Sequence, residues 1–95
     1  MLGLLIPVGG GDSIPLLKPK LKIGRAASCD IRLDYTNVPS LLCRLEYVNG
    51  FWQVSSISRS GIKVNGERIG EMVLQSGDTV SFARHDFEIQ YTPGE

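Results

Sequence analysis

Short runs of alternating apolar and polar residues dominate this chain, and turn residues separate them. Two Asn-Gly pairs, at 49–50 and 65–66, lie between such runs. Both central residues of a type I′ turn need positive φ, which Asn and Gly tolerate best, so each pair predicts a β-hairpin. The expected strands of these two hairpins span Cys43–Val48, Phe51–Ser56, Ile62–Val64 and Glu67–Ile69.

Further apolar runs predict the remaining strands. Near the start they cover residues 1–8, 14–17 and 21–24, and Pro19 between the last two marks an edge or a bulge because its nitrogen cannot donate to a ladder. Towards the end, strands are expected at 72–74 and 79–83, followed by a hairpin that turns at 84–86. No stretch has the apolar spacing of a surface helix. Ten or so short strands without a helix predict an all-β fold, a two-sheet β-sandwich, whose expected core includes Trp52, Phe82, Phe87 and Ile89.

Composition fits one globular domain spanning 1–95, with a flexible tail at 92–95. The chain has 95 residues, of which 42% are hydrophobic and 21% charged, and ten Lys/Arg balance ten Asp/Glu. A dedicated nucleic-acid binder normally carries a basic surplus, so no nucleic-acid partner is expected. The basic residues Lys18, Lys20, Lys22 and Arg25 are interpreted as a solvated strand face, with a binding stripe as the alternative.

Neither catalysis nor metal binding is indicated. Cys29 and Cys43 form no C-x-x-C pair, so no metal site is predicted, although a disulfide between them stays open. Isolated cysteines fit a reducing compartment, and a cytoplasmic location is expected. The apolar residues 1–8 are too few to span a bilayer, so no membrane association is expected. His85, the only histidine, falls in a predicted turn and has no nucleophile or acid partner, so an enzyme and a cofactor are not expected.

Three ordered segments resemble the motifs of forkhead-associated (FHA) domains. Ile23-Gly24-Arg25 followed by Ser-Cys-Asp-Ile-Arg-Leu at 28–33 resembles the opening motif of the family. Residues 61–69 resemble its "NGTxVNGxxI" motif, and 74–82 resemble its "L-x-x-GD-x-I-x-F" motif. The match runs from about residue 21 to about residue 91. It implies an eleven-stranded β-sandwich of the FHA/SMAD type, whose loops at one end bind a phosphothreonine peptide.

The resemblance assigns roles position by position. Arg25 matches the arginine that binds the phosphate, and Gly24 matches the glycine before it. The "S-x-x-H-C" loop of the family falls on residues 39–43, so Pro39 occupies the position of its phosphate-binding Ser and Leu42 that of its bracing His. The peptide-orienting Asn position falls on Ser60. Three of the four expected polar residues are therefore absent, and the site is expected to be degenerate.

Other residues near these loops are candidates for weaker roles. Ser40, Arg59, Ser60 and Lys63 are possible contacts for a phosphopeptide, while Ser40 and Ser60 also fit plain turn positions. Arg25, for its part, also fits a surface ion pair with an acid such as Asp30. The remaining motif residues, Gly61, Asn65 and Gly66, are expected to be structural.

Two functions therefore stay open. The first is an interaction module, expected to be a monomer, that binds a phosphothreonine-containing protein partner with weakened affinity. The second is a phosphate-independent docking or scaffold domain that uses an apolar patch at Leu41 and Leu42, unless these two side chains tuck inward.

Overall fold

Two β-sheets packed face to face form the molecule. The computed structural model describes residues 2–59 and 61–94, and this part of the chain contains eleven strands and no helix, hence none able to span a membrane. The strands are β1 (Gly3–Pro7), β2 (Ile14–Leu16), β3 (Lys20–Gly24), β4 (Ile31–Arg32), β5 (Cys43–Val48), β6 (Phe51–Ser56), β7 (Ile62–Val64), β8 (Glu67–Ile69), β9 (Glu71–Leu74), β10 (Thr79–Phe82) and β11 (His85–Gln90). The predicted all-β sandwich is confirmed.

The strand order divides the chain between the two sheets. One sheet has six strands in the order β2-β1-β11-β10-β7-β8, and the other has five in the order β4-β3-β5-β6-β9. Neighbouring strands are antiparallel except for the β3–β4 pair, which is parallel. This order places the connections after β3, β4 and β6 where they contact one another, and these connections form the candidate site.

Both predicted Asn-Gly hairpins are present with the expected strands. Asn49 and Gly50 have φ values of 53° and 84°, and Asn65 and Gly66 have values of 51° and 87°. These are the positive values that a type I′ turn requires at both central positions. The β5–β6 ladder pairs Tyr47 with Trp52, so this turn fixes which residues face the core.

The core lies between the sheets and contains the residues that the alternation pattern predicted. Trp52 and Ile89 are fully buried, and Phe82 and Phe87 are nearly so. The Trp52 indole N–H donates to the carbonyl oxygen of Leu2 (3.0 Å), which satisfies its one polar group inside the sandwich. Apolar burial therefore holds the two sheets together without an unpaired indole donor.

The last hairpin differs from the prediction. It turns at Ala83 and Arg84, whose φ values are 50° and 76°, and not at 84–86. Phe82 pairs with His85, so His85 and Asp86 belong to β11. Neither Ala nor Arg is a turn signal, and only the tight two-residue connection forces both into positive φ, which is why the sequence placed the turn one residue too late.

Candidate functional site

The loops after β3 and β4 lie against each other at one end of the sandwich. The Arg25 N–H donates to the Pro39 carbonyl oxygen (2.9 Å), and the Ala26 N–H donates to the Ser40 carbonyl oxygen (3.1 Å). Gly24 lies beneath this contact, and a Cβ there would collide with the Ser40 carbonyl oxygen. Glycine at this position is therefore a packing requirement of the loop pair.

Leu42 anchors the β4–β5 loop in the core. Its side chain is fully buried, and its N–H donates to the Ile23 carbonyl oxygen (2.8 Å). Its own carbonyl oxygen accepts hydrogen bonds from the N–H groups of Ile57 (2.9 Å) and Ser58 (3.1 Å). Leu42 thus joins three segments: the end of β3, the β4–β5 loop and the connection after β6. Of the predicted apolar patch, only Leu41 is accessible, at 37% exposure.

The Arg25 side chain is exposed at the tip of this loop pair. Its Nε lies 3.9 Å from Asp34 Oδ1, and Arg32 Nη2 lies 3.7 Å from the same oxygen. Arg32 Nε also donates to the Arg25 carbonyl oxygen (3.0 Å). Two arginines therefore share one exposed carboxylate, which leaves one net positive charge at the tip. Arg32 and Asp34 were not predicted as site residues, because nothing in their spacing shows that the parallel β3–β4 pair brings them beside Arg25.

The predicted surface ion pair of Arg25 is made with Asp34 and not with Asp30. Asp30 instead accepts a hydrogen bond from the Lys22 N–H (2.9 Å) and another from Lys18 Nζ (3.4 Å). The backbone hydrogen bond from Lys22 is the main cause that lowers the pKa of the Asp30 carboxyl, and the Lys18 ammonium adds to it. Asp30 is therefore engaged by Lys18 and Lys22, while the Arg25 guanidinium contacts Asp34.

Two further candidates stand close to the loop pair. Ser40 is exposed, and its carbonyl oxygen is occupied by Ala26 N–H and by Cys29 Sγ (3.3 Å), but its hydroxyl bonds to none of the residues in 2–59 and 61–94. Arg59 is exposed as well, and its carbonyl oxygen accepts a hydrogen bond from Arg68 Nη2 (2.5 Å). Ser60 lies outside the described residues.

Lys63 lines a groove to which Arg25 does not contribute. It is exposed in the middle of β7, opposite Ser81 of β10, and lines a groove of about 760 Å³ together with Asn37 and Asp86. Neither Arg25 nor Ser40 lines this groove. The structure thus brings Arg25 and Ser40 together and places Lys63 on the adjoining groove.

A polar contact missed by the sequence analysis ties the β4–β5 loop to the last hairpin. Asn37 Nδ2 donates to the Ala83 carbonyl oxygen (2.7 Å), and Asn37 Oδ1 lies 3.3 Å from His85 Nε2. The His85 ring also stacks on Tyr35, with 3.9 Å between ring centroids. His85 is half-buried in this contact, so its predicted place in a surface turn is wrong. Its role is to hold the loop.

The remaining motif residues make contacts within the fold or adopt turn conformations. Asn65 Oδ1 accepts a hydrogen bond from the Thr79 N–H (3.0 Å), and Asn65 Nδ2 donates to Asp78 Oδ1 (3.1 Å). These contacts fasten the β7–β8 turn, which continues into Gly66, to the start of β10. Gly61 has a φ of 71°, in the region where a side chain is strained.

Both cysteines are free thiols. Cys43 is fully buried at the start of β5, while Cys29 is half-buried in the β3–β4 loop. Burial, with a smaller contribution from Cys29, raises the pKa of the Cys43 thiol to about 12. Cys43 therefore acts as a small core residue and not as a nucleophile.

Comparison with known families and structures agrees with this architecture. The family model of the FHA domain matches residues 21–83, well over half of the chain. The chain therefore belongs to the FHA domain family. No curated protein sequence is significantly similar to it.

Solved FHA structures resemble the chain closely in fold. EmbR of Mycobacterium tuberculosis, in complex with a low-affinity phosphopeptide, has a TM-score of 0.90 and 27% identity; the match covers 99% of this chain but only 25% of that one. The N-terminal FHA domain of Rad53p from S. cerevisiae, in complex with a phosphothreonine peptide, has a TM-score of 0.87 and 15% identity, covering 97% of this chain and 94% of that one. The FHA domain of CT664 from Chlamydia trachomatis has a TM-score of 0.84 and 17% identity, covering 97% and 99%.

Proposed function

We propose that this FHA domain is a protein-interaction module that binds a phosphothreonine-containing peptide weakly, with Arg25 as the main anchor for the phosphate. The observation that carries the proposal is the exposed Arg25 guanidinium at the tip of two loops fixed by backbone hydrogen bonds. Structures of EmbR and Rad53p with phosphopeptides support the same mode of use for this fold.

The charges at the tip favour a phosphate. A phosphothreonine carries about −1.5 to −2 charges and three strong acceptor oxygens. The planar guanidinium of Arg25 fits two of these oxygens, and Arg32 adds a second cation nearby. The competing carboxylate of Asp34 is exposed and lies 3.9 Å from Arg25 Nε, a contact that contributes about 0–1 kcal/mol. A doubly charged phosphate is therefore expected to displace Asp34 at little cost.

Missing donors explain why the binding is expected to be weak. Pro39 has neither a hydroxyl nor an N–H, so it removes two possible donors at once. Leu42 points into the core and donates only through its backbone, which is already bonded to Ile23. Each lost hydrogen bond to a charged group costs roughly 1.5–3 kcal/mol, so two losses weaken binding by roughly two to four decades.

Calorimetric titration with phosphothreonine peptides flanked by neutral residues tests the proposal. We expect weak binding that disappears in the unphosphorylated peptide and in Arg25→Ala. The matched control is Arg84→Ala, which removes an exposed arginine in the β10–β11 turn and leaves the two loops that carry Arg25 and Ser40 intact. Pro39→Ser is expected to tighten binding about tenfold or more, since it restores one hydroxyl donor to a charged acceptor. No binding at millimolar peptide, or equal binding by wild type and Arg25→Ala, would refute the proposal.

The exposure of Leu41 supports phosphate-independent docking as the second candidate. Its side chain is 37% exposed beside Ser40, whereas Leu42 is fully buried. A partner that docks here is expected to stay bound after phosphatase treatment and to be released by Leu41→Asp. Leu42→Asp does not serve this test, because a buried carboxylate destabilises the whole fold. Retention of such a partner by Leu41→Asp would exclude this surface.

A further inference from the structure

Two like charges face each other on the outer side of the five-stranded sheet. Lys22 of β3 is the direct cross-strand partner of Arg44 of β5. The neighbours Leu21 and Leu45 point into the core, so Lys22 and Arg44 point outward, and both are exposed. Like charges directly opposite each other in a sheet are destabilising, so this pair is costly to the free protein.

No carboxylate in residues 2–59 or 61–94 neutralises this pair within 4.0 Å. Asp30 lies nearby and its charge acts on Lys22, but its oxygens bond to the Lys22 N–H and to Lys18 Nζ rather than to the Lys22 ammonium or to Arg44. Lys20 continues the outward row two residues before Lys22, with Glu46 as its cross-strand partner. Lys20, Lys22 and Arg44, here called the β3–β5 cationic face, surround a depression of about 170 Å³.

We propose that the β3–β5 cationic face binds an acidic segment of a partner polypeptide in an extended conformation. Side chains two residues apart on an extended chain are about 6.6–6.8 Å apart, the spacing of Lys20 and Lys22 along β3. An extended partner with acidic residues at alternate positions therefore presents its carboxylates in register with this row. Arg44 widens the face to a second strand and meets the segment from the side.

The surrounding charges favour a polypeptide over a continuous polyanion. Asp30 and Glu46 line the same depression as the three cations and repel a backbone that is charged at every unit. The chain also has ten basic and ten acidic residues, without the surplus that nucleic-acid binding normally uses. An acidic peptide with uncharged residues between its carboxylates can place its charges opposite the cations and its uncharged residues opposite Asp30 and Glu46. The sequence alone favoured a solvated strand face for Lys20 and Lys22. The pairing of Lys22 with Arg44 in the sheet favours a binding surface instead.

Fluorescence anisotropy with an unphosphorylated, labelled peptide of alternating Glu and Thr tests the inference without involving phosphate recognition. The matched probe is the same peptide with Gln in place of Glu. We expect the Glu peptide alone to bind, and its binding to weaken between about 0.01 M and about 0.1 M ionic strength, where the Debye length falls from about 30 to about 10 Å.

Three variants separate local charge from net charge. Lys22→Gln with Arg44→Gln is expected to weaken binding roughly five- to tenfold, the loss of two exposed ion pairs. The charge-conserving pair Lys22→Arg with Arg44→Lys is expected to keep it. Glu67→Lys, on exposed β8 of the other sheet, adds two positive units of net charge and is expected to leave it unchanged. Circular dichroism verifies that each variant is folded.

Each contrary result overturns the inference. If the double Gln variant binds the Glu peptide as tightly as wild type, the face is not the binding site. If Glu67→Lys raises the affinity by as large a factor as the double Gln variant lowers it, net charge alone drives binding. Competition with a single-stranded oligonucleotide or an anionic phospholipid vesicle tests the class of ligand. If either displaces the labelled peptide at a lower concentration of negative charge than the unlabelled Glu peptide needs, the face binds that ligand, and the assignment to an acidic polypeptide is wrong.

Discussion

Replacing Leu42 with alanine is expected to destabilise the fold and to loosen the candidate site together. The Leu42 side chain is fully buried, so its truncation leaves a cavity as well as losing transfer free energy. Leucine-to-alanine changes at such positions cost roughly 2.7–5 kcal/mol. Small domains have a free energy of unfolding of roughly 5–15 kcal/mol, so this one change removes a large fraction of it.

The single tryptophan makes the measurement direct. Trp52 is fully buried between the sheets, so its fluorescence reports the unfolding of the core in urea or on heating. For a domain of this size, about 1 kcal/mol shifts the melting temperature by roughly 4–8 °C, so Leu42→Ala is expected to lower it by more than about 10 °C. The neighbouring Leu41→Ala is the control, because Leu41 is 37% exposed and its loss is expected to cost about 1 kcal/mol or less.

A second readout links this anchor to the loops. The Leu42 backbone bonds to Ile23, Ile57 and Ser58, so amide hydrogen exchange at Ile57 and Ser58 is expected to quicken in Leu42→Ala and not in Leu41→Ala. If the two alanine variants are equally stable, or if Leu42→Ala melts like wild type, the side chain does not anchor the loop and the packing argument fails.

Three shorter predictions concern other parts of the fold. The Cys43 thiol, with its pKa raised from 9.0 to about 12, stays protonated in the folded state, so a thiol reagent at pH 8 should modify Cys29 alone and reach Cys43 only in urea. Because the Cys43 thiol ionises in the unfolded state before it does in the folded state, the free energy of unfolding is expected to be constant below pH 9 and to fall as the pH rises from 9 towards 12. If Cys43→Ala loses as much stability over this pH range as wild type does, the thiol is not the cause. Asn65→Ala loses the bond to the Thr79 N–H at a positive φ and should cost roughly 1–3 kcal/mol by urea denaturation, while a change near zero would show that the turn does not need the amide. Arg44→Gln removes the cross-strand repulsion of Lys22 and leaves Asp30 beside Lys22, so it should stabilise the fold by roughly 0.2–1 kcal/mol, whereas a lower melting temperature would contradict the repulsion.

Most of the sheet architecture was predictable because its signals are local. The Asn-Gly pairs predict both the position and the type of each turn, and the strict alternation around Trp52 predicts which face of the strand is buried. Each strand therefore carried its own evidence of position and orientation. The turn at Ala83 and Arg84 was missed, because its positive φ values come from the tight pairing of Phe82 with His85 and not from the turn residues themselves.

The site was predictable only as far as its motif reached. Arg25 and Gly24 were found because they stand in a recognisable string, and the structure explains Gly24 by the Ser40 carbonyl above it. The contacts of Asp34 and Asn37 were missed, since they join residues that only the sandwich topology brings together. Asn37 and Ala83, for instance, are 46 positions apart in sequence.

The way the loops are held bears on why binding should be weak. A loop that is disordered in the free protein must be ordered on binding, and this entropy reduces affinity. Here Leu42 fixes the β4–β5 loop from below, and Asn37 fixes it from the side through Ala83, without any ligand. The loop is thus already ordered, so under the proposed function the weak binding is expected to come from the number of donors and not from ordering of the loop. The hydroxyl donor that Pro39→Ser restores is therefore expected to contribute its whole hydrogen-bond energy to the affinity for the phosphopeptide, because none of that energy is needed to order the loop.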